Sequence, residues 1–231
     1  RSMQAEDVKP TRLRAAKTLL TDLVHQDIKN RFGVIGFTTN AIVLSPLTND
    51  AELLTYLFKG VDETLIMTKG SAIMPALELS RKMSHAASPI LFLLTDGGDK
   101  DDYSEEAMFA KQNGLIVNVL MLASLSGSTL KGWDGTLLKG ENGDIVITSQ
   151  NRAIKILSTM TGGVYIDGAD LSKVQEVIAA QSDNAYKSKT KMVQYEELFY
   201  YFIALGLLFF MFSATTLFSN LQKLLRRRSL R

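Results

Sequence analysis

The chain has 231 residues, 46% apolar and 22% charged, with a formal net charge of +2. That suffices for one or two domains with a sizeable core, and no spread of basic residues interleaved with aromatics points to nucleic acid. Cysteine is absent, which excludes disulfides, thiolate nucleophiles and cysteine-bound zinc; the two histidines, His25 and His85, lie in helix-like stretches and read as surface residues.

Helix and strand signals alternate along the chain. Leu13, Ala16, Leu20, Leu23 and Val24 recur at helical spacing over Thr11 to Val24. Phe32 to Phe37 and Ala41 to Leu44 are β-rich runs joined by Thr38-Thr39-Asn40, a hairpin. Asn49 or Asp50 caps a helix over Ala51 to Phe58. A helix from about Ala72 to Ser84 tolerates Pro75 only in its first turn. The apolar run Ile90 to Leu94 predicts a strand buried on both faces, as in a parallel sheet covered by helices. A helix at Ser104 to Gln112, stopped by Gly114, precedes a strand over Leu115 to Leu122. Leu137 to Ile147 forms a hairpin around Asn142-Gly143. A helix over Arg152 to Met160 ends at Gly162-Gly163, and Val164 to Ile166 is a short last strand. Leu171 to Glu197 reads as one long helix. The alternation predicts an α/β fold with a doubly wound, mostly parallel sheet.

Asp96 is the residue with the clearest chemical meaning. It stands where the Ile90–Leu94 strand ends, just before Gly97-Gly98, and ligands bind at that edge of open α/β sheets. An ionised carboxylate there either holds a hard cation or only stabilises the turn. Downstream, Asp99, Asp101, Asp102, Glu105 and Glu106 form an acidic cluster that reads as a solvated helix start, favoured by the helix dipole.

Leu198 to Phe218 is 21 residues without a charge, long enough as a helix to cross a hydrocarbon core. Tyr200 and Tyr201 suit the near interface, and Lys223 with Arg226, Arg227 and Arg228 suits the far one. This predicts domains at 1–185, a juxtamembrane helix at 186–197, a transmembrane helix at 198–218 and a basic cytoplasmic tail at 219–231. The soluble domain then faces the periplasm or exterior of a cell, anchored in its inner membrane. The span's competing reading is a helix buried in a protein core.

Enzyme signatures are lacking: no Gly-x-Ser-x-Gly, no P-loop, no Gly-x-Gly-x-x-Gly and no His-Glu-x-x-His. The sequence thus predicts binding and no catalysis.

An ordered set of short segments runs nearly end to end: Arg1-Ser-Met-x-Ala-Glu-Asp-Val-Lys-Pro10, Pro46-Leu-Thr48, Lys69-Gly-Ser-Ala72, Leu93-Leu-Thr-Asp-Gly97, Thr161-Gly-Gly163 and Tyr195-Glu-Glu-Leu-Phe199. Together they resemble the von Willebrand factor type A domain, and within it the membrane-anchored bacterial Bat (aerotolerance) proteins. The resemblance implies a Rossmann-like sheet and a metal-ion-dependent adhesion site. Ser2 matches the last serine of its first loop, Ser71 the second-loop threonine and Asp96 the third-loop aspartate. Taken singly, Ser2 also reads as a frayed terminus and Ser71 as a helix N-cap. Serine at 71 keeps a hydroxyl ligand but lacks the methyl that stiffens χ1.

The family's first aspartate and first serine would precede Arg1, so the resemblance implies a sheet missing its first strand and a fragment that binds metal poorly. The hydroxyl-rich ligand set implies Mg2+ or Mn2+, with an open position for a partner's carboxylate. It also implies other Bat-type subunits and a MoxR-type ATPase as associates, in an envelope complex. The alternative is a metal-independent structural subunit of a membrane complex.

Overall fold

The computed structural model describes residues 2–62, 70–84, 86, 88–132, 135–140, 142–189, 201–207 and 209–211, and side chains in the last helix before 190 only as far as 182. The chain divides into two compact units, Arg1–Tyr186 and Lys187–Arg231.

Helix α1 (Arg12–Gln26) begins where the Thr11 hydroxyl accepts from the Arg14 N–H at 3.2 Å, an N-cap. Its buried residues are Arg12, Ala16, Leu19, Leu23 and Val24. The helix is therefore rolled from the predicted face: Leu13 and Leu20 are half-buried, and a charged residue shares the inward stripe. Strands β1 (Phe32–Phe37) and β2 (Ala41–Thr48) pair antiparallel through the predicted turn. Asp50 caps α2 (Ala51–Gly60), accepting from Leu53 N at 2.9 Å. Helix α3 (Met74–Met83) carries Pro75 in its first turn, where the missing N–H is harmless. Its N-cap is Ile73, so Ser71 lies outside the helix and the N-cap reading of it falls.

Strand β3 (Ile90–Thr95), helix α4 (Ser104–Gln112) and strand β4 (Ile116–Met121) follow as predicted. Then β5 (Ser128–Thr129) pairs with β6 (Ile147–Thr148), and the Asn142-Gly143 hairpin lies between them, with a bridge at Lys139 and Ile145. A 3-10 turn at Arg152–Ile154 leads into α5 (Lys155–Thr161), which Gly162 ends at φ +74°. Strand β7 (Tyr165–Asp167) and helix α6 (Leu171–Lys189) complete the described part of the first unit.

The parallel sheet has the order β3-β4-β7. Alternation along each strand sends residues to opposite faces. Leu91, Leu93, Val117, Val119 and Met121 meet Ile73 at the start of α3, Leu77 of α3, Ala107 and Ala110 of α4 and Leu157 of α5. Phe92, Leu94, Leu120 and Ile166 meet Leu19 and Leu23 of α1 and Val174, Val177 and Ile178 of α6. The result is a three-layer, doubly wound α/β arrangement. Val117 to Met121 of the central β4 are fully enclosed, whereas β3 is half-buried over most of its length. β3 is covered on both faces, as expected, but it borders the sheet among the described residues and so is only half-buried over most of its length; β1 with β2 forms a separate ladder.

Asn118, wholly buried on β4, joins the sheet to α6. Its amide donates to Gln181 Oε1 at 2.8 Å and accepts from Gln181 Nε2 at 2.9 Å, and its Oδ1 also accepts from the Val164 N–H at 2.8 Å.

In the second unit, residues 201–207 and 209–211 are helical. Among the described residues no helix is long and apolar enough to cross a membrane. Most of the predicted span, Leu198–Phe218, and the whole basic tail lie outside the described residues, as does the predicted continuation of α6 beyond Lys189.

Candidate divalent-cation site at the end of strand β3

Asp96 follows the last residue of β3 and is 9% exposed. The loop that carries it is held from several sides. The Tyr103 hydroxyl donates to Gly97 O at 2.9 Å and accepts from Lys100 N at 3.1 Å. Asn151 N donates to Asp96 O at 3.1 Å, and the Asn151 amide donates to Lys100 O at 2.7 Å. Gly97 has φ +109°, and a Cβ there would run into the Asn151 backbone. Only glycine suits both the backbone angle and the close approach. Asp96 also steadies its own turn, as Oδ1 accepts a long bond from Gly98 N at 3.4 Å.

The other carboxylate oxygen of Asp96 faces a cation that belongs to the chain. Arg12 is wholly buried, and its Nη1 lies 3.3 Å from Asp96 Oδ2. The same nitrogen reaches Ser2 O at 3.3 Å and Thr148 Oγ1 at 3.2 Å. Its Nε and Nη2 fork onto the two oxygens of Asp7 at 2.8 and 2.7 Å, and Nη2 also reaches Thr148 O at 3.0 Å. Asp7 is held in turn by Ser124, through its N–H at 2.8 Å and its hydroxyl at 2.9 Å. Burial alone would raise the Asp7 carboxyl. The hydrogen bonds from Arg12 and Ser124, with the Arg12 charge, outweigh that and hold it well below the usual carboxylate range.

The structure thus brings two of the sequence-predicted residues, Ser2 and Asp96, to one guanidinium. Ser2 is no frayed end: it opens a 3-10 turn, Ser2–Gln4, and its carbonyl accepts from Ala5 N at 3.2 Å. Ser71 sits in the segment between Gly70 and α3. Ala72 N donates to Thr38 O at 2.8 Å, which ties that segment to the β1–β2 turn. A Cβ on Gly98 would lie 3.5 Å from the Ser71 carbonyl oxygen, so the Ser71 segment also borders the Asp96 loop.

The donors present suit a hard cation. Neither the Ser2 nor the Ser71 hydroxyl has a hydrogen-bond partner among the described residues, and both are half-buried. Two hydroxyls and one carboxylate are oxygen ligands of the kind Mg2+ or Mn2+ accepts while keeping several waters. Among the described residues no three His, Asp or Glu side chains converge on a metal position.

Sequence reasoning missed Arg12, Asp7 and Thr148, and it misread Glu106. That residue is 1% exposed; its Oε1 pairs with Lys100 Nζ at 2.5 Å, and its Oε2 has no hydrogen-bond partner among the described residues. The remainder of the acidic cluster behaves as expected at a helix start, with Asp102 Oδ1 accepting from Ser104 N at 3.0 Å.

The sequence model of the von Willebrand factor type A domain matches residues 1–98. Among solved structures, BatB from Bacteroides thetaiotaomicron is 24% identical, with a TM-score of 0.70 over 80% of this chain and 94% of its own. An aerotolerance-related membrane protein from Bacteroides fragilis is 23% identical, with a TM-score of 0.70 over 79% of this chain and 94% of its own. No curated protein sequence matches the chain. At these identities the two structures speak to the fold. The sequence match spans both Ser2 and Asp96, so residues 1–98 are similar in sequence to a von Willebrand factor type A domain, and the chain as a whole is similar in fold to BatB and to the aerotolerance-related protein.

Proposed function

We propose that this chain is a membrane-anchored binding module whose type A domain holds Mg2+ or Mn2+ at Ser2, Ser71 and Asp96. Through that ion it grips a carboxylate of a protein partner. The observation that carries the reading is Asp96 at the carboxyl end of β3, bordered by the Ser71 segment and sharing Arg12 with Ser2. The bound ion would supply Lewis acidity; the chain supplies oxygen ligands and a loop fixed by Tyr103 and Asn151. No catalytic step is assigned to it.

Membrane attachment through 198–218 is supported by that uncharged stretch of sequence. Phe202 and Phe210 are 72% and 73% exposed, in a helical segment whose apolar side chains face outward. The Bacteroides fragilis relative is itself called a membrane protein. Partners of the kind implied are other subunits of an envelope complex, Bat-type proteins and a MoxR-type ATPase among them.

The contact between Arg12 and Asp96 supports a second reading, a structural subunit in which the guanidinium replaces the metal. Calorimetric titration with Mg2+ and Mn2+ separates the two. Weak binding by wild type, saturating only at high ion concentration and abolished by Asp96→Ala, is expected. Folded protein that takes up neither ion, alone or with a carboxylate-bearing partner, would leave the metal-free subunit.

A further inference from the structure

We infer that Asp7, by engaging Arg12, keeps Asp96 available to a divalent cation and so sets the affinity of the site; the inference rests on the cation-binding reading above. Arg12 has two carboxylates within reach and treats them unequally. Asp7 receives a two-pronged contact at 2.8 and 2.7 Å, the strong geometry for a guanidinium and a carboxylate. Asp96 receives one long contact at 3.3 Å, from a nitrogen that also serves Ser2 O and Thr148 Oγ1. Ser124 fixes Asp7 in the position that makes this possible.

A carboxylate cannot chelate a guanidinium and ligate a metal ion equally well, because the two cations compete for the same lone pairs and repel each other. Without the Asp7 charge, Asp96 is the carboxylate left beside a wholly buried Arg12. The guanidinium would turn to it, since a buried charge needs a partner. Asp7 is therefore a positioning residue: it touches no metal ligand and acts through Arg12.

The test is manganese binding to the full chain, read by electron paramagnetic resonance of the free ion. Asp7→Asn keeps the shape and one acceptor oxygen, and it is expected to weaken binding at least tenfold. The double variant Asp7→Asn with Arg12→Met removes both charges and is expected to return affinity to within threefold of wild type. Equal affinity of Asp7→Asn and wild type would overturn the proposal. So would a double variant as weak as the single one, the signature of a merely structural role.

A second measurement needs no metal. With chelator present, the urea midpoint shift caused by Asp96→Asn is compared in wild-type and Asp7→Asn backgrounds. A larger shift in the Asp7→Asn background is expected, because Arg12 then depends on Asp96. Equal shifts overturn the competition. Wild type silent toward manganese would overturn the cation reading instead, and the chelator experiment would still decide the competition by itself.

Discussion

Two charged groups flank the loop that follows β3, and they are built differently. On one side Arg12, Asp7 and Asp96 form a buried group in which the guanidinium donates to both carboxylates, a carbonyl at each end and the Thr148 hydroxyl. On the other side Lys100 reaches in from solvent, 53% exposed, to meet Glu106, which is 1% exposed and leaves Oε2 without a partner. Arginine's planar fork can satisfy several buried acceptors at once, whereas an ammonium is a point charge that serves one oxygen at a time. Completeness of hydrogen bonding decides whether a buried charge supports the fold or burdens it.

The largest effect should come from breaking the complete group. Arg12→Met strands Asp7 as a buried, uncompensated carboxylate, and the expected cost is about 3–5 kcal/mol in urea unfolding. A cost under about 1 kcal/mol would mean that the two sides are not different after all.

Acid should loosen the same side. Asp7 is depressed in the folded protein from an ordinary value of 3.8. Its contribution is thus fully present above about pH 4 and is lost as pH falls from there toward the folded value. Stability measured from pH 6 to pH 2 should fall less steeply in Asp7→Asn than in wild type over the acid part of that range. Parallel curves would contradict the assignment.

Tyr103 stands between the two groups, bridging Gly97 and Lys100. Removing its hydroxyl in Tyr103→Phe leaves Gly97 O and Lys100 N each short of a partner, with an expected loss of about 1–2 kcal/mol by thermal or urea melt. The smallest effect is expected from Glu106→Met. The orphaned oxygen disappears with the charge, so stability should change by less than about 1 kcal/mol and in the favourable direction if packing is kept. A loss of several kcal/mol would place Glu106 among the supporting charges.

How much of this could be read from sequence depended on range. The Ile90–Leu94 run and Thr95-Asp96-Gly97 are local signals, and β3 with Asp96 at its end is where they indicated. Helix α4 has the predicted bounds because Gly114 and the acidic first turn mark both ends. The surroundings of Asp96 are different in kind. Arg12 lies 84 residues from Asp96 and 136 from Thr148, and no local pattern pairs them.

A usable signal was nevertheless present. Arg12, Ala16, Leu19 and Leu23 fall at i, i+4, i+7 and i+11, so the buried stripe of α1 starts on an arginine. Glu106 likewise shares a face with Tyr103, Ala107 and Ala110. A charge on an apolar stripe is a sign that a partner awaits it. Ser2 and Ser71 were identified by resemblance alone, and no local pattern singles out either hydroxyl.

The reciprocal amides of Asn118 and Gln181 carry a consequence for how this sequence can change. Each position satisfies the other's donor and acceptor, so a substitution at either alone strands a polar group on its counterpart. In a library of single substitutions both sites should therefore read as intolerant. Varying 118 and 181 together should reveal a second set of viable sequences, in which residue 118 still accepts from Val164 N while residue 181 is apolar. On that expectation, viable sequences at this junction between β4 and α6 are separated by two changes and not one.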